Sequence, residues 1–205
     1  MTKKDQYFET NNELRNAIDE HVDLFDRIKN DKVLQVQCLK VAKKLVCVYK
    51  NKGKLLLCGN GGSAAQAQHL AAELIGRFYL NRKALSAEAL SANTSTLSAL
   101  ANDYSFKKIF SRQIEAKGES GDMLILLTTS GQSKNIFEAI KASQKLNIFT
   151  VVLTGQNDSL RLLSDVDSII SVPSKIVPRI QEAHIFIGHF ICEYVERELF
   201  SIKQN

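Results

Sequence analysis

From Lys54 onward the chain alternates between two textures, and that alternation restricts the fold more than any other feature of the sequence. Short apolar runs bounded by turn residues (Leu55–Cys58, Ala87–Leu90, Met123–Thr128, Phe149–Thr154 and Ser168–Val172) are separated by stretches whose apolar residues recur at helical spacing (Ser63–Tyr79, Thr94–Ala101, Phe106–Ala116, Ser133–Leu146 and Arg179–Phe200). Apolar runs this short read as strands buried on both faces, and strands separated by helices read as βαβ units. The expected fold class is α/β: a three-layer α/β/α sandwich around a five-stranded parallel sheet. Pro173 and Pro178 bracket the last loop and should set the start of the final helix.

Ahead of this core, Gln6 to Lys52 holds neither Pro nor Gly, and apolar residues recur at three- and four-residue steps through Leu14, Ile18, Val22, Phe25 and Ile28, then Val33, Val36, Leu39, Val41 and Leu45. The pattern predicts an N-terminal extension of two amphipathic helices broken near Asn30-Asp31. Its broad apolar surface can be covered by a partner subunit or, as cheaply, by the chain's own core. A length of 205 residues suits one domain, and no linker, low-complexity run or internal repeat divides it. The reading is a single domain over 1–205, with helices in 1–52 and the α/β core in 53–205.

Composition serves mainly to exclude. The net charge of +5 is a small surplus of 27 basic over 22 acidic residues, spread along the chain rather than gathered on one face, so nucleic acid is not an expected partner. Pairs such as Lys43-Lys44 and Lys107-Lys108 are read as solvated helix faces. No apolar run approaches the ~20 residues of a bilayer crossing, and the N-terminus lacks a secretory pattern, so no membrane association and a cytoplasmic location are expected. Cys38, Cys47, Cys58 and Cys192 show neither CxxC spacing nor companion histidines, and all four are read as small buried hydrophobes.

Ligands of parallel sheets bind beyond the carboxyl ends of the strands, where loops give way to helix N-termini. Two loops occupy such places. Gly59-Asn60-Gly61-Gly62-Ser63 lets the backbone approach an anion closely and adds side-chain donors, although it is neither a nucleotide P-loop nor a GxGxxG turn. On this loop alone, glycines present for purely steric reasons explain it equally well. Thr128-Thr129-Ser130-Gly131-Gln132-Ser133 places four hydroxyls in six residues. Capping by Ser130 or Ser133 needs only one of them, so the density favours a phosphate monoester.

Two helix patterns carry titratable side chains. His69 and Glu73 stand four residues apart, about 40° around the axis, and could be metal ligands, an acid/base pair or a surface ion pair. Gln181 and His189, on the final helix, are separated by about 80° and can reach one site, whereas His184 lies about 140° from His189 and cannot readily share it. A buried, hydrogen-bonded imidazole is the plain alternative for either histidine.

Taken together, the Gly59–Ser63 loop, the His69/Glu73 pair, Ala101-Asn102-Asp103, the Thr128–Ser133 tract and Arg179-Ile180-Gln181-Glu182 with His189 resemble the sugar isomerase (SIS) domain and, within it, the phosphoheptose isomerases. The resemblance runs over essentially the whole chain. It implies an enzyme that converts sedoheptulose 7-phosphate to D-glycero-D-manno-heptose 7-phosphate through an enediol, for bacterial lipopolysaccharide or capsule. It implies a sugar site lined by Asn60, Gly61, Gly62, Ser63, Glu73, Asn102, Asp103 and Gln181. Thr128, Thr129, Ser130 and Ser133 would hold the phosphate, Glu73 and His189 would be the acid/base residues, and His69, Glu73, Gln181 and His189 would bind one zinc. The implied assembly is a homotetramer with shared sites, in which the two ligand pairs could meet only across an interface. The chain departs from the family pattern in having Thr128 where Ser is frequent and Pro178 where Asp often precedes the Arg-Ile-Gln-Glu run. SIS-fold proteins also include a non-catalytic regulator of replication initiation; a pure scaffold gives no chemical reason for both polar pairs.

Overall fold

The computed structural model describes residues 3–156 and 166–200. Two N-terminal helices, α1 (Lys3–Asn30) and α2 (Lys32–Lys50), lead into β1 (Leu55–Gly59), α3 (Gly62–Ile75), β2 (Ala87–Ala89), α4 (Thr94–Asp103), a 3₁₀ turn (Phe106–Lys108) and α5 (Ser111–Lys117). The chain continues through β3 (Met123–Leu127), α6 (Lys134–Lys145), β4 (Phe149–Gly155), β5 (Ser168–Val172) and α7 (Val177–Phe200). The break between the first two helices falls where expected: Asp31 caps α2 by accepting a hydrogen bond from the Leu34 N–H at 2.9 Å.

The five strands are all parallel in the order β2-β1-β3-β4-β5, with Leu57 opposite Ala89 on one side and Ile125 on the other. Alternate side chains serve opposite faces. Leu55, Leu57, Met123, Ile125, Leu127, Val151 and Leu153 pack under α2, α3 and α7, while Leu56, Cys58, Leu124, Leu126 and Val152 pack against Phe110, Ile114, Ile136 and Ile140. This is the expected three-layer sandwich. The order reverses between β1 and β3: α3, following β1, covers one face, and α6, following β3, covers the other. The crevice at their carboxyl ends is where such sheets take ligands.

The N-terminal extension divides its apolar stripe. Leu24 and Ile28 of α1 and Leu34, Cys38, Val41, Ala42, Leu45 and Val48 of α2 are buried on the chain's own core, but Leu14, Ile18, Val22, Val33 and Val36 stay exposed. An apolar groove of about 460 Å³ between α1, α2 and α7 borders this uncovered surface. Cys47 corrects the reading of the cysteines, since it is exposed on α2 between the inward positions 45 and 48. The other three are buried and free.

Two helices differ from their predicted extents. The stretch Phe106–Ala116 is a 3₁₀ turn and a separate short helix, because Ile109 and Phe110 at the joint both turn into the core. The helix predicted to reach Tyr79 stops at Ile75. Gly76 follows it, and the N–H groups of Phe78, Tyr79 and Leu80 donate to the Glu196 carboxylate at 2.7–3.1 Å rather than continuing the helical ladder.

Candidate active site

The glycine loop turns sharply out of β1. Gly61 adopts φ 56°, a left-handed conformation that favours glycine, and at Gly62 a Cβ would stand 2.6 Å from the Gln181 side-chain nitrogen. That close approach seats the Gln181 amide on the first turn of α3. Asn60 is tied across the crevice to Asn135 by two reciprocal amide hydrogen bonds of 3.0 and 2.8 Å. Asn135, which sequence reasoning missed, thereby joins the glycine loop to the helix that follows the hydroxyl tract.

In that tract, Thr128 Oγ1 accepts from the Gly131 N–H at 3.1 Å and closes a tight turn in which Gly131 has φ 63°. Ser130 Oγ accepts from the Gln132 N–H at 3.3 Å. Ser133 stands at the N-cap of α6 yet makes no side-chain cap bond, so the simple capping explanation does not account for it. The hydroxyls gather at the positive end of a twelve-residue helix.

The third part is the contact between α3 and α7. Both helices return over the same sheet face from parallel strands and therefore run parallel to each other. Gly62 meets Gln181, His69 meets His189 and Phe78 meets Glu196 in a constant register, and Gly188 lets Leu70 approach so closely that an added Cβ would lie 2.5 Å from it. Consequently His69 Nε2 lies 2.8 Å from His189 Nε2 and 3.3 Å from the Glu73 carboxylate. His189 thus meets the His69/Glu73 pair within one chain, without its expected companion Gln181.

His69, Glu73 and His189 each offer a ligand atom within 4.8 Å of the others. Tetrahedral zinc with bonds near 2.0–2.1 Å spaces its ligand atoms about 3.3 Å apart, so the His69–Glu73 separation already suits the ion and the imidazoles need only open slightly. The donor set fits a metal of that kind. Gln181 sits two turns before His189 on α7, with its amide against Gly62 rather than among these three atoms. The His189 pKa is held below the ordinary imidazole value by burial and by the neighbouring His69, with Glu73 opposing them. The Phe78 ring lies 5.6 Å from that of His189.

Other expected residues are placed differently. Asn102 and Asp103 are exposed at the end of α4, bonded to each other at 2.9 Å, and the hydrogen bonds of the described residues connect them to neither loop. Ser63 is buried beneath the glycine loop, its N–H donating to the Asn60 carbonyl. His184 is fully buried, but among the described residues neither ring nitrogen has a hydrogen-bond partner, in contrast to the bonded state expected of a core histidine. Burial lowers its pKa to about 4, partly offset by the nearby Thr154 main chain. Arg82 and Glu196, which carried no signal in the sequence, form a buried ion pair at 2.8 Å behind the histidines.

Comparison with known proteins agrees with this geometry. The SIS domain family matches residues 14–155. A phosphoheptose isomerase from Clostridium acetobutylicum is 47% identical over 178 residues, covering 87% of this chain and 90% of that one. Among solved structures, phosphoheptose isomerases from Neisseria gonorrhoeae and Francisella tularensis superpose with TM-scores of 0.84 and 0.82 at 35% and 30% identity. The first match covers 91% of this chain and 98% of its counterpart, the second 96% and 100%. With the switch-point loops, the histidine–carboxylate group and these likenesses in agreement, the chain belongs to the SIS-domain family, among its phosphoheptose isomerases.

Proposed function

We propose that this chain isomerises sedoheptulose 7-phosphate to D-glycero-D-manno-heptose 7-phosphate, for bacterial heptose synthesis serving lipopolysaccharide or capsule. The observation that carries the reading is the convergence, within 4.8 Å, of His69 and Glu73 on the helix that the glycine loop opens with His189 on α7. The non-catalytic alternative supplies no reason for that convergence.

The ketose must lose a proton from C1 while its carbonyl oxygen gains one, giving a cis-enediol. Return of a proton to C2 and its loss from the C1 oxygen then give the aldose. Glu73 takes and returns the carbon-bound proton, and His189 serves the oxygens. Thr128, Thr129, Ser130, Ser133 and the N–H groups opening α6 bind the phosphate, while Gly61, Gly62, Asn60 and Ser63 shape the sugar side. Asn60 does so with its amide already pinned by Asn135. Asn102 and Asp103 belong to the sugar site only if a neighbouring subunit or a bound substrate brings them to it. His69, Glu73 and His189 would hold zinc, joined by Gln181 once its amide turns from Gly62, and the ion supplies Lewis acidity toward the carbonyl oxygen when bound.

The whole chain acts as one SIS domain and assembles as a homotetramer through the exposed stripe of α1 and the start of α2. No described helix is long and apolar enough to cross a membrane, and the cytoplasm is the proposed location. The test is incubation of purified protein of measured metal content with sedoheptulose 7-phosphate, followed by NMR. Appearance of the aldoheptose phosphate is expected; its absence with zinc-loaded protein overturns the reading.

A further inference from the structure

Behind the histidine–carboxylate group, two charged side chains almost wholly removed from solvent join the ends of α3 and α7. Arg82 and Glu196 have side chains only 2% and 3% exposed, and the Arg82 Nε–H donates to the Glu196 carboxylate at 2.8 Å. Most of the rest of the guanidinium is spent on the end of α3, with Nη1 also reaching the Lys83 carbonyl at 3.2 Å. Nη2 donates to the main-chain carbonyl of Glu73 at 2.9 Å, and Nη1 donates to those of Leu74 at 2.7 Å and Gly76 at 3.2 Å. A lysine ammonium could not reach these directions together, since only the planar fork of arginine spreads its donors in this way.

Glu196 lies seven residues beyond His189, two turns further along α7. Besides Arg82 it accepts the N–H groups of Phe78, Tyr79 and Leu80, and these bonds fold the chain after α3 so that the Phe78 ring lies beside His189. Burial acts to raise the Glu196 pKa, but the N–H donors and the guanidinium outweigh it and hold the carboxylate ionised. Each partner therefore touches the neighbourhood of one reacting side chain: Arg82 the backbone of Glu73, Glu196 the loop that flanks His189.

We propose that Arg82 and Glu196 are positioning residues for the isomerisation, fixing the register of α3 against α7 and with it the spacing of Glu73 from His189. The inference rests on the proposed isomerase activity. A buried ion pair is weak evidence of a stabilising role, because apolar replacement of both partners is often neutral for folding. Loss of one partner alone strands a charge, so the double variant Arg82→Met/Glu196→Leu and the mild variant Arg82→Lys are the informative ones.

The experiment compares both variants with the unaltered protein in kcat, KM, thermal unfolding and histidine-ring nitrogen chemical shifts of the metal-free protein. Expected are a kcat lower by roughly tenfold to a hundredfold, the range that a misplacement of about 1 Å produces, and a KM within about twofold. The His69 and His189 ring signals should move, and by more than those of His21, which is bonded to Glu182 in the first turns of α7, away from the pair. A folded variant of either kind with unaltered kcat and unmoved His69 and His189 signals overturns the proposal. If the unaltered protein does not isomerise sedoheptulose 7-phosphate, the activity reading fails by itself, and the ring signals alone decide whether the pair sets the spacing.

Discussion

Glu73 has one carboxylate oxygen 3.3 Å from the His69 ring, while its main-chain carbonyl is held by Arg82, so its chemistry and its placement can be altered separately. Glu73→Gln keeps the shape and removes the base; turnover followed by NMR should fall about 100-fold or more. His189→Ala should lower activity and bound zinc together, read by assay and metal analysis on the same sample. His184 bears on stability instead. Its folded pKa of about 4 lies below the ordinary 6.5, so the unfolded chain takes up a proton first as the pH drops. Stability should be full above pH 6.5 and decline toward pH 4 by roughly 3 kcal/mol, a limb that should be missing from urea titrations of His184→Leu. Of the site residues, His69 and Glu73 were legible as a pair because spacing fixes angle, whereas Gln181 and His189, expected to share a site, lie apart, with the Gln181 amide against Gly62. Asn135, Arg82 and Glu196 were not legible: Asn135 reads as an ordinary opening residue of α6, Arg82 stands in the polar run Asn81-Arg82-Lys83, and Glu196 sits among Glu193, Arg197 and Glu198. The side chains that give them their roles, Asn60 for Asn135 and each other for Arg82 and Glu196, lie 75 and 114 residues away.

At the scale of elements, the strands and most helices were legible because a buried parallel strand is an apolar run with little else it can become. Helix ends were less so. The end of α3 is set by a carboxylate on α7, and a local pattern cannot report a distant acceptor. Nor can periodicity say which two helices lie side by side, although it gives the face each presents. Two glycines govern that contact. Gly62→Ala would press on the flexible end of Gln181, so the fold should survive while zinc affinity and substrate binding weaken, as calorimetric titration would show. Gly188→Ala meets Leu70 inside the core, where the neighbour has less freedom. The helices must part, and a thermal scan should show a lower midpoint together with weaker zinc retention.

For the molecule as a whole, the exposed Leu14, Ile18 and Val22 on α1 and Val33 and Val36 on α2 form apolar surface that the chain does not cover. Light scattering should report four chains per particle, and Ile18→Glu with Val22→Glu should shift the population to smaller species; a monomer for the unaltered protein at micromolar concentration would refute the assembly. The parallel contact of α3 with α7 has a further consequence in time. His69 and Glu73 are synthesised more than a hundred residues before His189, and the last helix also roofs the sheet face through Ile187, Ile191 and Val195. While a ribosome is still adding α7, the nascent chain displays half of the histidine–carboxylate group over an open apolar face. Premature termination before residue 177 therefore leaves a product both inactive and adhesive, and closure of the site becomes a late event that marks a chain as finished.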